Sequence, residues 1–222
     1  MRTLSQRLYT VQALIPKGAR VADIGTDHGH LPISLIKSGS CKRIIACDIN
    51  EKPLANAKAN IEKTKTEGIE LRLGNGLSPV LPCEVDCIVI AGMGGEVISS
   101  ILDAADWIKS GNYTLILQPM TSADLLRKYL CENGFSIKRE VALCDEQKLY
   151  TVIKAVFTGK CEKQSEAYYR IGELKPCEPW SKEYILKQIS IVQKCIDSLN
   201  NSDNQNKVLY FEELLAEMEK RL

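Results

Sequence analysis

No apolar run in these 222 residues approaches the roughly 20 needed to span a bilayer, and the opening Met1-Arg-Thr-Leu-Ser5 lacks the apolar stretch of a secretory leader. A cytoplasmic protein is expected. Histidine occurs only twice, and the nine cysteines (Cys41, Cys47, Cys83, Cys87, Cys131, Cys144, Cys161, Cys177 and Cys195) include no CxxC pair. Neither a metal site nor a disulfide framework is therefore expected. An excess of either charge is also missing. With 29 Lys and Arg against 28 Asp and Glu, the net charge of +1 gives no bulk attraction to a polyanion. Contact with nucleic acid would have to come from local clustering. Arg2, Arg7, Lys17 and Arg20 precede the first acid, Asp23, and Lys37, Lys42 and Arg43 follow closely. The charge count alone favours reading these as solvated helix and loop charges.

What is present is alternation. Short β-branched runs at residues 20–25, 43–48, 70–74, 87–91 and 114–118 are separated by segments of helical periodicity at 31–38, 53–65, 95–103 and 122–133. This is the pattern of βαβ units and a parallel sheet whose strands are buried on both faces. Leu4, Leu8, Val11 and Ile15 predict an amphipathic helix in front. After Gly134 the alternation changes. The strand-like runs 135–143 and 149–157 are joined by only Cys144-Asp-Glu-Gln-Lys148, too short for a crossover helix, so they should pair as an antiparallel hairpin at the sheet edge.

Beyond Gly159 the chain turns polar. Ile185, Ile189, Val192, Ile196 and Leu199 then recur at spacings of four and three, a heptad seam. The polar stretch 200–206 predicts a turn, and Val208, Phe211, Leu215, Met218 and Leu222 continue on a second helix. The expectation is an α/β domain over residues 1–159 and an antiparallel helical domain over 160–222. The competing reading packs these helices onto the sheet as further core.

Chemistry should gather at the C-terminal edge of the sheet, where open α/β folds bind ligands. The first strand runs into Asp23-Ile-Gly-Thr-Asp-His-Gly29, whose Gly25 and Gly29 permit a sharp turn, but the absence of glycine at position 27 removes the pyrophosphate cradle of a dinucleotide-binding dehydrogenase. Asp48, at the tip of the second strand and about 20 residues past the turn, is placed to accept hydrogen bonds from both ribose hydroxyls of an adenosine ligand. It could equally cap the next helix. Asn75, in Gly74-Asn-Gly-Leu77, is placed for an adenine edge. Ala91-Gly-Met-Gly-Gly95 suits close backbone approach to a ligand.

These segments, together with Leu4-Ser-Gln-Arg-Leu8, Asp48-Ile-Asn50 and Leu117-Gln-Pro-Met120, closely resemble the bacterial tRNA (adenine-22-N1)-methyltransferase family, along the whole chain. The sequence departs from the family pattern at His30, where Tyr or a similar residue is usual, and at Asn75, where Asp is usual. The resemblance implies a class I Rossmann-like methyltransferase sheet, S-adenosyl-L-methionine as cofactor, and methyl transfer to N1 of an adenine in the D-loop region of tRNA. It also implies that Asp23, Gly25, Thr26, Asp27, His28, Gly29, Asp48, Ile49, Asn50, Asn75, Gly76, Ala91, Gly92, Met93 and Gly94 hold the cofactor. Asp27, His28, Met93 and Gln118 are the candidates for the pocket of the target base, and the helical extension is the candidate contact with tRNA, in a monomer or weak dimer. By the same kind of analogy, the absence of an Asn-Pro-Pro-Tyr-type string argues against methylation of an exocyclic amine. The remaining alternatives are another RNA site, a small-molecule substrate, or an RNA-binding module without activity.

Overall fold

The computed structural model describes residues 4–110, 113–199 and 205–222. Arg2 and most of the predicted 200–206 turn lie outside them. Among the described residues, seven strands form one sheet: β1 (Val21–Ile24), β2 (Ile44–Asp48), β3 (Ile69–Leu73), β4 (Cys87–Met93), β5 (Thr114–Pro119), β6 (Phe135–Asp145) and β7 (Lys148–Phe157), in the order β3-β2-β1-β4-β5-β7-β6. The first five pair in parallel, while β7 pairs antiparallel with both β5 and β6. The expected α/β sheet with an antiparallel hairpin is present.

The side chains of the central strands divide between two cores. Ala22, Ile45, Ile88, Ile90, Leu115 and Leu117 face one layer, and Val21, Ile44, Val89 and Ile116 face the other. The period of two places alternate residues on opposite faces, and both faces are covered, which is why these strands read as continuous apolar runs. On the first face lie α4 (Gly95–Asp103) and α5 (Ala123–Glu132), through Ile98, Leu102, Leu126 and Leu130. On the second lie α1 (Gln6–Leu14) and α2 (His30–Lys37), through Val11, Leu31 and Leu35, with α3 (Glu51–Thr64) beside α2. At the β3 edge, Arg72 bridges Glu70 and Glu84, and charges of this kind blunt an open strand.

The hairpin is tighter than the sequence suggests. Pairing continues to Asp145 and Lys148, leaving Glu146 and Gln147 as a two-residue turn with φ of 47° and 63°. Two left-handed residues in succession are the type I′ geometry that matches strand twist.

The C-terminal region comprises α6 (Glu166–Ile171), which the sequence reading missed, α7 (Ser181–Leu199) and α8 (Gln205–Glu219). Ile185, Val192, Ile196, Leu214 and Met218 close a core within the single chain, and Ala142 of β6 belongs to the same core. Leu222, expected in the seam, lies past the end of α8 and is exposed; Leu214 is buried in the seam region instead. Arg127 of α5 and Glu140 of β6, both fully enclosed, join this region to the sheet. Arg127 Nη2 donates to Glu140 at 2.7 Å, and Nη1 donates to the carbonyls of Tyr169 and Arg170 at 2.6 and 3.1 Å. Burial opposes the Arg127 charge, but the field of Glu140 outweighs it and holds the guanidinium above its ordinary range. Gly172, at φ 70°, lies against this pair, where a Cβ would overlap the Glu140 carboxylate.

Candidate cofactor and substrate site

The order of a doubly wound sheet reverses between β1 and β4, and a ligand crevice is expected where it does. A cleft of about 930 Å³ opens there, along the C-terminal ends of β1 to β4, within the range of small-molecule sites. Among the predicted cofactor residues, Gly25, Asp48, Ile49, Asn50, Asn75, Gly76, Ala91, Gly92 and Met93 line it together.

The turn after β1 is fixed from beneath. The N–H groups of Gly25 and Thr26 both donate to the Cys47 carbonyl at 2.9 Å, and Gly29 donates to Thr26 at 3.0 Å. Gly25 has φ 78°, a left-handed conformation that a side chain adopts only under strain, and the flexible end of Met93, its Cε, lies directly over the Gly25 α-carbon. Thus Gly25 and Met93 form one close-packed floor. The remaining turn residues lie around the rim or beneath it rather than in the lining. Gly29, at φ 68°, begins α2 and packs over Ala57. Asp27, also left-handed at φ 50°, and His28 are largely exposed, 3.6 Å apart across Oδ2 and Nε2. The His28 ring stacks on His30, and its carbonyl accepts from Asn60.

Asp48 is 8% exposed, and its two oxygens accept from the backbone: Oδ2 from Asp27 N at 3.3 Å and Oδ1 from Asn50 N at 3.0 Å. Each carboxylate oxygen has a second lone pair, so the cleft side can accept two further donors such as vicinal hydroxyls. The Asn50 side chain makes no cap bond to α3, and Ile49 beside it is 59% exposed, an apolar face next to the acid. Asp23 is buried beneath the turn. Burial raises its carboxyl to about 6, with the Thr26 hydroxyl opposing the rise and Asp48 adding to it.

Gln118 is fully enclosed. Its Oε1 accepts from Gly92 N at 3.1 Å and from Arg7 Nη1 at 3.4 Å, and its Nε2 donates to the Pro119 carbonyl at 2.9 Å. Its influence on the cleft therefore runs through the backbone of Gly92, itself at φ 82° with open space around it. Gly94 sits behind, against Thr121. The cleft wall also includes Val97, Ile101 and Trp107, which the sequence reading did not single out. The i, i+4 pair Val97 and Ile101 on α4 was the available signal, and it reads equally as core. Three of the N-terminal basic residues are ion-paired: Arg7 with Asp145, Arg20 with Asp86 and Arg43 with Glu70. Among the described residues, no group of three His, Cys, Asp or Glu side chains could hold a metal, and no helix is long and apolar enough to cross a membrane.

The comparisons agree with this geometry. Residues 4–153 match the family described as a methyltransferase domain. The tRNA (adenine(22)-N(1))-methyltransferase of Bacillus subtilis is 39% identical over 153 residues, 68% of this chain; the alignment spans 64% of that relative, just under two thirds of its length. Among solved structures, the B. subtilis m1A22 tRNA methyltransferase TrmK superposes with a TM-score of 0.86 at 31% identity, over 98% of this chain and 99% of that one. The TrmK of M. capricolum, solved with the cofactor product S-adenosyl-homocysteine, superposes at 0.80 with 30% identity, over 98% and 96%. With a glycine-floored cleft, an acid at the β2 tip and this likeness along almost its whole length, the chain belongs to the tRNA (adenine(22)-N(1))-methyltransferase family of methyltransferase-domain proteins.

Proposed function

We propose that this chain transfers a methyl group from S-adenosyl-L-methionine to N1 of adenine 22 of tRNA. The observation that carries the cofactor half is Asp48, whose oxygens are held by two backbone donors and remain able to accept from a ribose. Ile49 and Asn75 then bracket the adenine, and Gly25, Gly92 and Met93 form the floor, the two glycines holding left-handed φ values that side chains adopt only under strain. When bound, the cofactor supplies an electrophilic methyl group on a sulfonium. The nucleophile needs little help, because N1 of adenine carries its own lone pair and is largely unprotonated near neutral pH. Alignment by the protein supplies most of the rate. N1 lies on the Watson–Crick edge, so the base must be unpaired or extruded to be reached. Asp27 and His28 are disposed to meet it at the rim and Met93 from the floor, and Gln118 acts from below by fixing Gly92.

The division of labour follows the chain: residues 1–159 bind the cofactor, and residues 160–222 contact tRNA, as a cytoplasmic monomer or weak dimer. Incubating the purified protein with S-adenosyl-L-methionine and unmodified tRNA transcripts, then analysing nucleosides by mass spectrometry after nuclease digestion, should yield 1-methyladenosine at position 22. No product, in a protein shown by calorimetry to bind the cofactor, would move the substrate to another RNA site or a small molecule.

A further inference from the structure

A second cleft, of about 240 Å³, lies between the turn that follows β5 and the helix α7. Met120, Tyr150, Arg170 and Lys187 contribute to its walls, with Asp124 its acid. Arg170 Nε is buried and has no hydrogen-bond partner among the described residues. A buried donor left without an acceptor costs about 1–3 kcal/mol, and more when charged, so such a group is retained where an acceptor arrives from outside. Lys187 is exposed on the facing helix and adds a second cation. The cleft adjoins the cofactor site through a shared wall. Met120 N donates to the Met93 carbonyl at 2.8 Å, and Gly95 N donates to the Thr121 carbonyl at 2.9 Å. Arg7 bridges the same wall, reaching Met120 Sδ at 3.1 Å and lying 5.6 Å over the Tyr150 ring.

We propose that this cleft binds a backbone phosphate of the substrate RNA, with Arg170 and Lys187 as its ligands, and so fixes the strand that delivers the target base to the neighbouring cleft. The inference rests on the RNA substrate proposed above. The planar guanidinium suits paired phosphate oxygens, and the lysine serves as a point charge. Phosphate contacts set register and orientation rather than read bases, which is the task required beside a pocket that takes a single extruded base. Ile191 in the wall is 40% exposed, leaving the α7 side open, which suits a passing strand better than an enclosed free anion.

The test uses the full-length protein and follows binding of a fluorescent tRNA transcript across a salt series, beside cofactor affinity by calorimetry. Arg170→Gln and Lys187→Glu should each weaken RNA binding roughly tenfold and lower the slope of log affinity against log salt by about one, with cofactor affinity unchanged. Lys187→Arg should restore binding. RNA affinity and salt slope unchanged in both variants would overturn the proposal while leaving the RNA substrate intact. Saturable displacement of the RNA by inorganic phosphate, beyond the effect of chloride at equal ionic strength and lost in Lys187→Glu, would assign the cleft to a free anion and also overturn it. Wild-type protein that binds cofactor but no tRNA would remove the RNA reading and this site together.

Discussion

Two enclosed groups of charge flank the sheet and differ in one respect. At the C-terminal edge, Asp23 and Asp48 are 5% and 8% exposed, and among the described residues neither forms an ion pair. On the opposite flank Glu140 is equally enclosed, but Arg127 meets it and the guanidinium is further held by backbone carbonyls. Burial of an uncompensated charge is costly, so the acids lacking a counter-ion mark where a ligand is to be received, whereas the compensated pair fixes the architecture. Perturbed and unpaired groups gather at functional sites for this reason.

The comparison can be broken most directly at Asp48. Asp48→Ala removes both ribose acceptors, each worth about 1.5–3 kcal/mol as a charge-assisted bond, and should weaken cofactor binding roughly 100-fold or more while leaving the fold in place. Calorimetry giving an affinity within a few-fold of wild type would end the assignment. Arg127→Ala should do the reverse. Stranding the Glu140 carboxylate is expected to cost about 3–5 kcal/mol, read as a shift in denaturant unfolding. The double variant Arg127→Met with Glu140→Leu should recover much of that loss, because no charge is left unmatched.

Asp23 sharpens the contrast through pH. Its carboxyl lies near 6 in the folded protein against an ordinary 3.8, so between those values the native state holds a proton that the unfolded chain has released. Stability is therefore greatest at the acid end of this window and falls as pH rises from about 4 to about 6, by at most about 3 kcal/mol at 1.36 kcal/mol per pH unit. Asp23→Asn should flatten that dependence in unfolding curves taken across the range. The smallest effect is expected at the rim, where His28→Ala should slow turnover a few-fold with near-normal cofactor affinity. Unchanged turnover would leave His28 a structural member of the turn.

The parallel strands and the cofactor cleft were legible because their signals are local. Continuous apolar runs announce strands covered on both faces, and Gly25, Asp48, Asn75 and Gly92 each stand at a strand end where the alternation breaks. The misses depend on partners distant in sequence. Arg127 and Glu140 look like surface charges until α6 folds over them, and the partners that hold Arg20 and Arg43, Asp86 and Glu70, lie 66 and 27 residues further along the chain. The type I′ turn at Glu146-Gln147 carries neither Gly nor Asn, so only the completed ladder reveals it. A cut after Gly159 would expose Ala142, Glu140 and Arg127 along with removing the helices, which makes the point variants the cleaner probe of the extension.

The position of β7 between β5 and β6 has a consequence for biosynthesis. Ribosomes deliver β6 before β7, yet β6 has no ladder with β5 and cannot shield it. Until Phe157 has left the exit tunnel, the segment carrying Leu115, Ile116 and Leu117 presents unpaired backbone on an apolar edge, the form most open to mispairing with another chain. The nascent protein therefore passes through a vulnerable interval of some forty residues of elongation, and slowing translation within that interval should increase its demand for chaperones.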